Sequence, residues 1–224
     1  MRHPHVKICG LKSREMIDTV LSCGGKEVGF VHFAPSPRHL AIDDMAMLAA
    51  YVGGRAQVTI VTVDADDATL SAIAAKVRPD TLQLHGHESV ERTAEVAAMT
   101  GLPVMKALAI GSAEDLQEVA KYQTVADRLL LDARPPKNAL LPGGNGVAFD
   151  WSILTGLDPK IDYMLSGGIN ANNIARALQT ISPYGLDVSS GVESEPGVKD
   201  AGLINGFFSA FEEAMHSMEQ KRAS

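Results

Sequence analysis

Short apolar runs alternate with amphipathic stretches along almost the whole chain, which has 224 residues. A short apolar run bounded by polar or turn residues is typical of a buried strand. Eight such runs predict strands at Val6–Cys9, Val28–Phe33, Gln57–Val63, Thr81–His85, Val104–Ala109, Arg128–Asp132, Tyr163–Ser166 and Leu186–Ser189. Apolar residues at helical spacing predict helices at Ser13–Cys23, Asp43–Tyr51, Asp66–Val77, Glu88–Met99, Ala113–Lys121, Asn172–Ile181 and Asp200–Met218, with a short helix from Asp150.

The repeated strand–helix order indicates a parallel sheet of the α/β class. Eight such units in a chain of this length favour a closed (β/α)8 TIM barrel of the phosphate-binding type. An open, doubly wound sheet is the main alternative, but it usually has fewer strands, and no Gly-x-Gly-x-x-Gly follows the first predicted strand. We expect one barrel domain over residues 1–218 and a polar tail, residues 219–224, that frays.

Composition and charge narrow the classes of function. Hydrophobic residues make up 46% of the chain and aromatic residues only 5%, so small and branched side chains must fill the core. The formal net charge of −7 gives no general attraction to nucleic acid or to an anionic membrane. An anionic substrate would therefore need a local site of backbone amides or a placed arginine. We expect a small-molecule partner, and neither nucleic acid nor a membrane.

The first ten residues, MRHPHVKICG, lack the apolar segment of a signal peptide, and no apolar run is long enough to predict a membrane span. The two cysteines, Cys9 and Cys23, form no disulfide framework and have no metal-ligand spacing. His32 and His39 also lack partners at such a spacing. We therefore expect a cytoplasmic protein that uses no metal.

Polar side chains at the strand ends are the candidates for chemistry, because catalytic residues of a barrel lie at its C-terminal face. Side chains alternate between the two faces of a strand. Cys9 shares a face with Lys7, and the apolar pair Val6 and Ile8 shares the other, which should pack against helices. Cys9 should therefore face the barrel mouth, and so should Asp132 at the end of the sixth strand. An isomerase needs two such groups, one that delivers a proton and one that removes a proton.

Both residues also have a simpler structural interpretation. A free cysteine is among the most buried residue types and often acts only as a small hydrophobe. An aspartate after a strand can cap the next helix or lie in a loop. The pattern alone leaves these alternatives open for Cys9 and Asp132, and it favours a structural role for Cys23.

Glycine and serine follow the seventh and eighth predicted strands, where barrels often bind phosphate through backbone N–H groups. The predicted phosphate-binding residues are Gly168, Ile169, Asn170, Ser189, Ser190 and Gly191, with Gly144 and Gly146 in the loop after the sixth strand. Each segment alone is equally typical of a turn. Three of them at the expected strand ends together predict a phosphate site.

Four further side chains are candidates for contacts with the rest of a substrate. Arg38 follows the second strand, and a guanidinium group can bind a carboxylate with two hydrogen bonds. Gln83 and His85 share a face at the end of the fourth strand, and Asp187 lies at the end of the eighth. The alternatives are a solvated arginine and a histidine whose hydrogen bonds are only structural.

Several of these segments match one known family. The matching segments are Lys7-Ile8-Cys9-Gly10, Gly29-Phe30-Val31 with Ser36-Pro37-Arg38, Gln83-Leu84-His85-Gly86, Leu130-Leu131-Asp132-Ala133, Phe149-Asp150-Trp151, Leu165-Ser166-Gly167-Gly168-Ile169 and Asp187-Val188-Ser189-Ser190-Gly191-Val192-Glu193. In these segments the chain resembles the phosphoribosylanthranilate isomerase family of tryptophan biosynthesis. The first and last segments form the most specific combination. In the glycine loop after strand six, Asn145 stands where the family usually has threonine.

The resemblance implies a cofactor-free Amadori rearrangement of N-(5′-phosphoribosyl)anthranilate to 1-(o-carboxyphenylamino)-1-deoxyribulose 5-phosphate. It implies that Asp132 is the general acid that protonates the ribose ring oxygen and that Cys9 is the general base at C2′. Arg38 would bind the anthranilate carboxylate, and Gln83, His85 and Asp187 would also bind substrate. We further expect the setting of Cys9 in the barrel mouth to raise its thiolate fraction.

Two other functions remain as alternatives. One is a related phosphate-binding barrel enzyme of histidine or tryptophan biosynthesis, although a histidine-pathway isomerase is expected to have a carboxylate in place of Cys9. The other is a non-catalytic phosphate-binding barrel, which is expected to lack the acid or the base. The sequence is compatible with a monomer and with a homodimer.

Overall fold

The computed structural model describes residues 3–134 and 150–223. Its central feature is a closed barrel of parallel strands in which each strand pairs with the next and the last pairs with the first. The strands are β1 (His5–Cys9), β2 (Glu27–His32), β3 (Gln57–Thr62), β4 (Thr81–Leu84), β5 (Val104–Ile110), β6 (Arg128–Ala133), β7 (Tyr163–Leu165) and β8 (Gly185–Val188). The predicted TIM barrel is confirmed.

The segments between the strands form helices that pack on the outside of the barrel. They are α1 (Arg14–Ser22), α2 (Ile42–Val52), α3 (Asp67–Lys76), α4 (Val90–Thr100), α5 (Leu116–Tyr122), α6 (Ile174–Thr180) and α7 (Ala201–Ala223). Short 3-10 helices occur at Ala113–Asp115, Trp151–Gly156 and Ser190–Val192. The side chains of Ser13, Asp66 and Ser89 accept hydrogen bonds at the start of α1, α3 and α4, as N-cap residues do.

The alternation of side chains along each strand separates two packing regions. Outward-facing residues such as Ile8, Phe30 and Ile60 join the main hydrophobic core between the strands and the helices. Inward-facing residues form smaller clusters inside the barrel. These clusters consist of Met105, Ala107, Leu130 and Met164 in one case and of Cys9, Val31 and Val61 in the other.

The N-terminal end of the barrel interior contains a buried carboxylate with several hydrogen-bond donors. Glu27 is fully buried and forms hydrogen bonds with His5, Thr59 and both terminal nitrogens of Arg128. Burial alone would raise the pKa of Glu27, but the hydrogen bonds from His5 and Arg128 hold it well below its ordinary value. This cluster closes the end of the barrel opposite the cavity described below.

The predicted strands agree with the structure to within about one residue at each end. One feature was not predicted: the antiparallel hairpin of β9 (Glu193–Glu195) and β10 (Val198–Lys199), which follows the barrel. Its strands are short and polar, so they lack the apolar run that marks a strand. The last helix continues beyond Met218 to Ala223, and fraying of the tail stays a prediction.

Within residues 3–134 and 150–223, no helix is long and apolar enough to cross a membrane. In the same part of the chain, no three His, Cys, Asp or Glu side chains come together as ligands of a metal ion.

Candidate active site

A cavity opens at the C-terminal ends of the barrel strands and encloses about 670 Å³, part of it continuous with solvent. It is lined by Cys9, Val31, Phe33, Ser36, Arg38, Val61, Val63, Gln83, His85, Asp132, Ser166, Gly167, Gly168, Ile169, Asp187, Ser189 and Ser190. Every side chain predicted for catalysis or substrate binding is in this set. The closed barrel therefore brings residues from β1, β4, β6 and β8 to one space.

Cys9 faces this cavity at the end of β1, as the strand alternation predicts. The residue is only 6% exposed. Its neighbour on β2 is Gly29, and a Cβ atom there would lie 2.9 Å from Cys9 Sγ. Glycine on β2 therefore leaves the room that the thiol occupies.

The environment of Cys9 contradicts the expected rise in thiolate. Burial raises the pKa of the Cys9 thiol above its ordinary value, and the carboxylate of Asp187 adds to that effect. The cations Lys7 and Lys199 oppose it without cancelling it. The prediction of an increased thiolate fraction is thus wrong for the free protein, because the energetic cost of burying a charge exceeds the attraction of the two lysines.

Lys7 is fully buried on β1, two residues before Cys9 and on the same face of the strand. Its Nζ donates to Asp187 Oδ1 at 2.8 Å and to Gln83 Oε1 at 2.7 Å. Burial lowers the pKa of Lys7, but the carboxylates of Asp187 and Glu27 and the thiol of Cys9 together outweigh that effect, so the pKa lies above the ordinary value. Lys7 is therefore a fixed cation that connects β1, β4 and β8 across the barrel.

Asp132 lies at the end of β6 with its carboxyl group at the cavity wall. Its Oδ1 accepts a hydrogen bond of 2.9 Å from the backbone N–H of Ala133, and its Oδ2 lies 3.1 Å from His85 Nε2. The Nδ1 atom of His85 lies 3.0 Å from the amide nitrogen of Gln83. The position of Asp132 in the mouth agrees with the prediction, and among the described residues its carboxylate caps no helix.

The loops after β7 and β8 approach each other closely beside the two reactive groups. Gly167 and Gly168 have φ angles of +87° and +66°, which only glycine adopts without strain. A Cβ atom at Gly191 would overlap the carbonyl oxygen of Ile169, so glycine permits this contact as well. The loops thus place main-chain atoms and the hydroxyl groups of two serines at one edge of the cavity.

The remaining phosphate candidates have different positions. The backbone N–H of Asn170 donates to Asn173 Oδ1 at 2.9 Å, and its side-chain amide donates to Gly168 O at 3.2 Å. Neither Asn170 nor Gly191 lines the cavity. Both support the shape of the loops, and direct contact with a phosphate stays a prediction for them. Gly144 and Gly146 lie outside the described residues.

Arg38 is buried at the cavity wall and forms a two-pronged contact, but with a residue of this chain. Its Nε and Nη2 donate to the two carboxylate oxygens of Glu193, both at 2.8 Å. Burial lowers the pKa of Arg38, and the Glu193 carboxylate more than reverses this effect, so Arg38 stays a cation. The guanidinium is therefore held in one orientation beside Cys9 and Asp187.

Glu193 also binds Lys199, which extends the cluster to the loop after β8. Lys199 Nζ donates to Glu193 Oε1 at 2.5 Å and to the carbonyl oxygen of Ser189 at 3.1 Å. Burial alone would raise the pKa of Glu193, but hydrogen bonds and charge from Arg38 and Lys199 lower it to about 2. Burial lowers the pKa of Lys199, and the charge of Glu193 opposes this effect. With Lys199 protonated, two cations share one carboxylate and the cluster is net positive beside the cavity.

Sequence reasoning missed Lys7, Glu193 and Lys199 as parts of the site. Lys7 and Glu193 lie within the segments that match the known family, but their spacing indicates no partner. Arg38 and Glu193 are 155 positions apart in the chain. Only the closure of the barrel brings β2 and the loop after β8 together.

Comparison with known sequences assigns the chain to a family. The sequence model of the family described as N-(5′-phosphoribosyl)anthranilate (PRA) isomerase matches residues 6–210. The chain belongs to this family. It is similar to the N-(5′-phosphoribosyl)anthranilate isomerase of Rhizobium meliloti (strain 1021), with 51% identity over 209 residues, which is 93% of this chain and 97% of the relative.

Solved structures of the family have the same fold. The phosphoribosylanthranilate isomerase of Thermotoga maritima superposes with a TM-score of 0.84 at 28% identity, covering 94% of this chain and 99% of that one. A second structure is a phosphoribosylanthranilate isomerase in complex with reduced 1-(o-carboxyphenylamino)-1-deoxyribulose 5-phosphate. It has a TM-score of 0.80 at 27% identity and covers 94% of this chain and 99% of its own.

Proposed function

We propose that the protein isomerises N-(5′-phosphoribosyl)anthranilate to 1-(o-carboxyphenylamino)-1-deoxyribulose 5-phosphate, a step of tryptophan biosynthesis. The observation that carries this proposal is that a thiol, Cys9, and a carboxyl group, Asp132, line one cavity from strands on different sides of the barrel. Membership of the isomerase family and the fold of its solved members support the same reaction.

Asp132 acts first, as the general acid. It delivers a proton to the ribose ring oxygen as the C1′–O bond breaks, and the ring opens to a protonated Schiff base. The cationic imine then withdraws electrons from C2′ and makes the hydrogen there acidic.

Cys9 acts second, as the general base. Its thiolate removes the proton from C2′ and leaves an enolamine, which tautomerises to the ketone product. The raised pKa of Cys9 means that thiolate is the minor form at neutral pH in the free protein. The buried cations Lys7 and Lys199 limit that cost, and the positive charge of the imine lowers it further while the intermediate is present.

Arg38 and the loops after β7 and β8 hold the two anionic ends of the substrate. The net positive cluster of Arg38, Glu193 and Lys199 attracts the anthranilate carboxylate to one side of the cavity. Backbone N–H groups near Gly168 and Ile169, with the hydroxyls of Ser189 and Ser190, bind the phosphate. With both ends fixed, C2′ and the ring oxygen lie between the base and the acid, which is the positioning that proton transfer requires.

The decisive experiment is an assay of purified protein with freshly prepared phosphoribosylanthranilate. We expect turnover by the wild type and a fall in kcat of about 10²–10⁴-fold in each of Cys9→Ala and Asp132→Ala, which is the usual contribution of a general acid or base. Cys23→Ala is the matched control and should keep full activity, since this second cysteine lies outside the cavity. Tight phosphate binding without turnover would instead indicate a non-catalytic barrel.

Localisation and assembly are part of the same proposal. We infer that the enzyme acts in the cytoplasm on a small phosphorylated substrate. A monomer and a homodimer are both compatible with the barrel, and sedimentation of the purified protein distinguishes them.

A further inference from the structure

A line of hydrogen-bonded side chains crosses the barrel and ends at Asp132. Lys7 Nζ donates to Gln83 Oε1 at 2.7 Å, and the amide nitrogen of Gln83 lies 3.0 Å from His85 Nδ1. His85 Nε2 lies 3.1 Å from Asp132 Oδ2. In the proposed reaction Asp132 is the acid and Lys7 acts only through its charge near Cys9, which leaves the connection from Lys7 through Gln83 and His85 to Asp132 without a role.

The direction of each hydrogen bond in this line follows from Lys7. An ammonium group carries three donors and no acceptor. The Gln83 atom that faces Lys7 must therefore be the carbonyl oxygen, and the NH₂ group of the same amide must point to His85. Rotating the amide by 180° would set two donor groups against each other at 2.7 Å.

The orientation of the amide in turn determines where the proton of His85 resides. The NH₂ group of Gln83 is a donor, so His85 Nδ1 must act as an acceptor and carries no proton. A neutral imidazole with a bare Nδ1 has its proton on Nε2. His85 therefore donates this proton to Asp132 Oδ2 while it remains uncharged.

We propose that Gln83 is a positioning residue that, held by Lys7, keeps His85 as the neutral Nε2–H tautomer, so that the acid Asp132 faces a neutral donor instead of a cation. This inference rests on the proposed role of Asp132 as the general acid. An acid must hold its proton before the substrate ring opens. An imidazolium at hydrogen-bond distance would favour the carboxylate and so reduce the protonated fraction of Asp132.

The other groups around His85 are consistent with this assignment. The side chains that flank Gln83 in the sheet, Val61 on β3 and Met105 on β5, are apolar. On β6 the facing group is Asp132, and on β8 Asp187 is engaged by Lys7. In the loop that follows His85, Glu88 pairs with Lys106 at 2.6 Å and Asp64 pairs with His87 at 3.0 Å. Among the described residues, no contact supplies an acceptor for a second proton on His85 Nδ1, which a cationic ring would need.

The first test needs no substitution. In ¹⁵N-histidine-labelled protein, correlation of ring nitrogens with carbon-bound protons distinguishes a bare Nδ1 with a protonated Nε2 from the other tautomer and from imidazolium. The His85 signals are assigned by their loss in His85→Gln. We expect the Nε2–H tautomer in the wild type between about pH 6 and 8, which is the range in which a free histidine titrates. A protonated Nδ1 at pH 7 would overturn the proposal.

The second test uses Gln83→Glu, which replaces the NH₂ donor that faces His85 Nδ1 by an acceptor. The new carboxylate keeps an oxygen toward Lys7 but offers a second oxygen, an acceptor, to His85 Nδ1. We expect both ring nitrogens to be protonated at pH 7, kcat to fall by about tenfold or more, and the alkaline limb of the kcat profile to move to lower pH. KM should change less than kcat, because no group that binds the substrate ends is altered.

Gln117→Glu is the matched control, since it makes the same chemical change on the exposed face of α5 and should leave kcat and the pH profile unchanged. An unshifted alkaline limb in folded Gln83→Glu would contradict the proposal. The nuclear magnetic resonance readout does not depend on turnover. Failure of the tautomer assignment can therefore be told apart from failure of the proposed isomerase activity.

Discussion

The two ends of the barrel interior each contain a buried carboxyl group, and the two are surrounded very differently. Glu27, at the N-terminal end, accepts hydrogen bonds from a cationic arginine, a histidine and a threonine. Asp132, at the C-terminal end, has a backbone N–H and a histidine as its hydrogen-bond partners and faces open space. Glu27 is thus paired with a cation, whereas Asp132 has neither Lys nor Arg among the hydrogen-bond partners that the structure describes.

This difference indicates that the two ends of the barrel have different roles, one in the stability of the fold and one in the proposed reaction. In barrels of this type, conserved groups at the bottom stabilise the fold and strand ends at the top perform catalysis. Here the physical basis is the charge of the donors. Hydrogen bonds from His5 and from the cation Arg128 hold the pKa of Glu27 well below its usual range, whereas the described partners of Asp132 are a backbone N–H and a histidine.

The largest expected effect comes from removing the charge of Glu27 at the N-terminal end of the barrel. Glu27→Gln leaves the guanidinium of Arg128 partly buried without its counter-charge, and the loss of one partner of a buried ion pair costs about 3–5 kcal/mol. Urea denaturation should show this loss, while kcat per folded molecule stays close to the wild-type value. Glu95→Gln, on the exposed face of α4, is the control and should cost less than about 1 kcal/mol. A kcat that falls with little change in stability would remove the distinction between the two ends.

A smaller effect is expected for Glu193→Gln, which weakens the hold on Arg38. Hydrogen bonds to charged groups contribute about 2 kcal/mol, so we expect a loss of that order and a KM that rises more than kcat falls. Because the folded pKa of Glu193 is about 2, below its unfolded value, the stabilising effect is complete above about pH 5 and disappears as the pH falls toward 2.

The pH dependence itself separates this role from a general loss of packing. The difference in unfolding free energy between wild type and Glu193→Gln should shrink as the solution becomes acidic. A difference that is independent of pH would show that the charge of Glu193 contributes nothing. Recovery of the wild-type KM in Glu193→Asp would support a role of the carboxylate in orienting Arg38.

The smallest expected effect is on the reactivity of the Cys9 thiol. In a Cys23→Ser background, the rate of alkylation by iodoacetamide should increase with pH and reach half of its maximum above the ordinary cysteine value of about 8.5. The midpoint is high because burial raises the pKa of Cys9. A cationic analogue of the imine in the cavity should move the midpoint down, because a nearby positive charge favours the thiolate. A midpoint near neutral pH in the free protein would mean that the two lysines outweigh desolvation.

Much of the site was predictable because it depends on local rules. Strand alternation alone places Lys7 and Cys9 on one face and predicts that Cys9 points into the mouth. The same rule places the glycines after β7 and the serines after β8 at the cavity, where they are found, and their contact with phosphate stays a prediction. These inferences need only the period of a strand and the position of its last residue.

Other parts were not predictable because they depend on distance in space. The thiolate prediction was wrong since desolvation of Cys9 depends on how deeply the closed barrel buries it. The contact between Arg38 and Glu193 joins segments far apart in the chain, and the β9–β10 hairpin has no apolar run to reveal it. Its one local signal is Pro196-Gly197, a pair typical of a tight turn.

The sequence by itself determined the barrel, the order of its elements and the side chains that face its mouth, because hydrophobic periodicity and pleat alternation are properties of neighbouring residues. The tertiary structure alone decided which charges meet. The contacts of Lys7 with Gln83 and Asp187 and those of Glu193 with Arg38 and Lys199 are set by closure of the sheet, since electrostatic energies depend on burial and on distances that the linear chain does not contain.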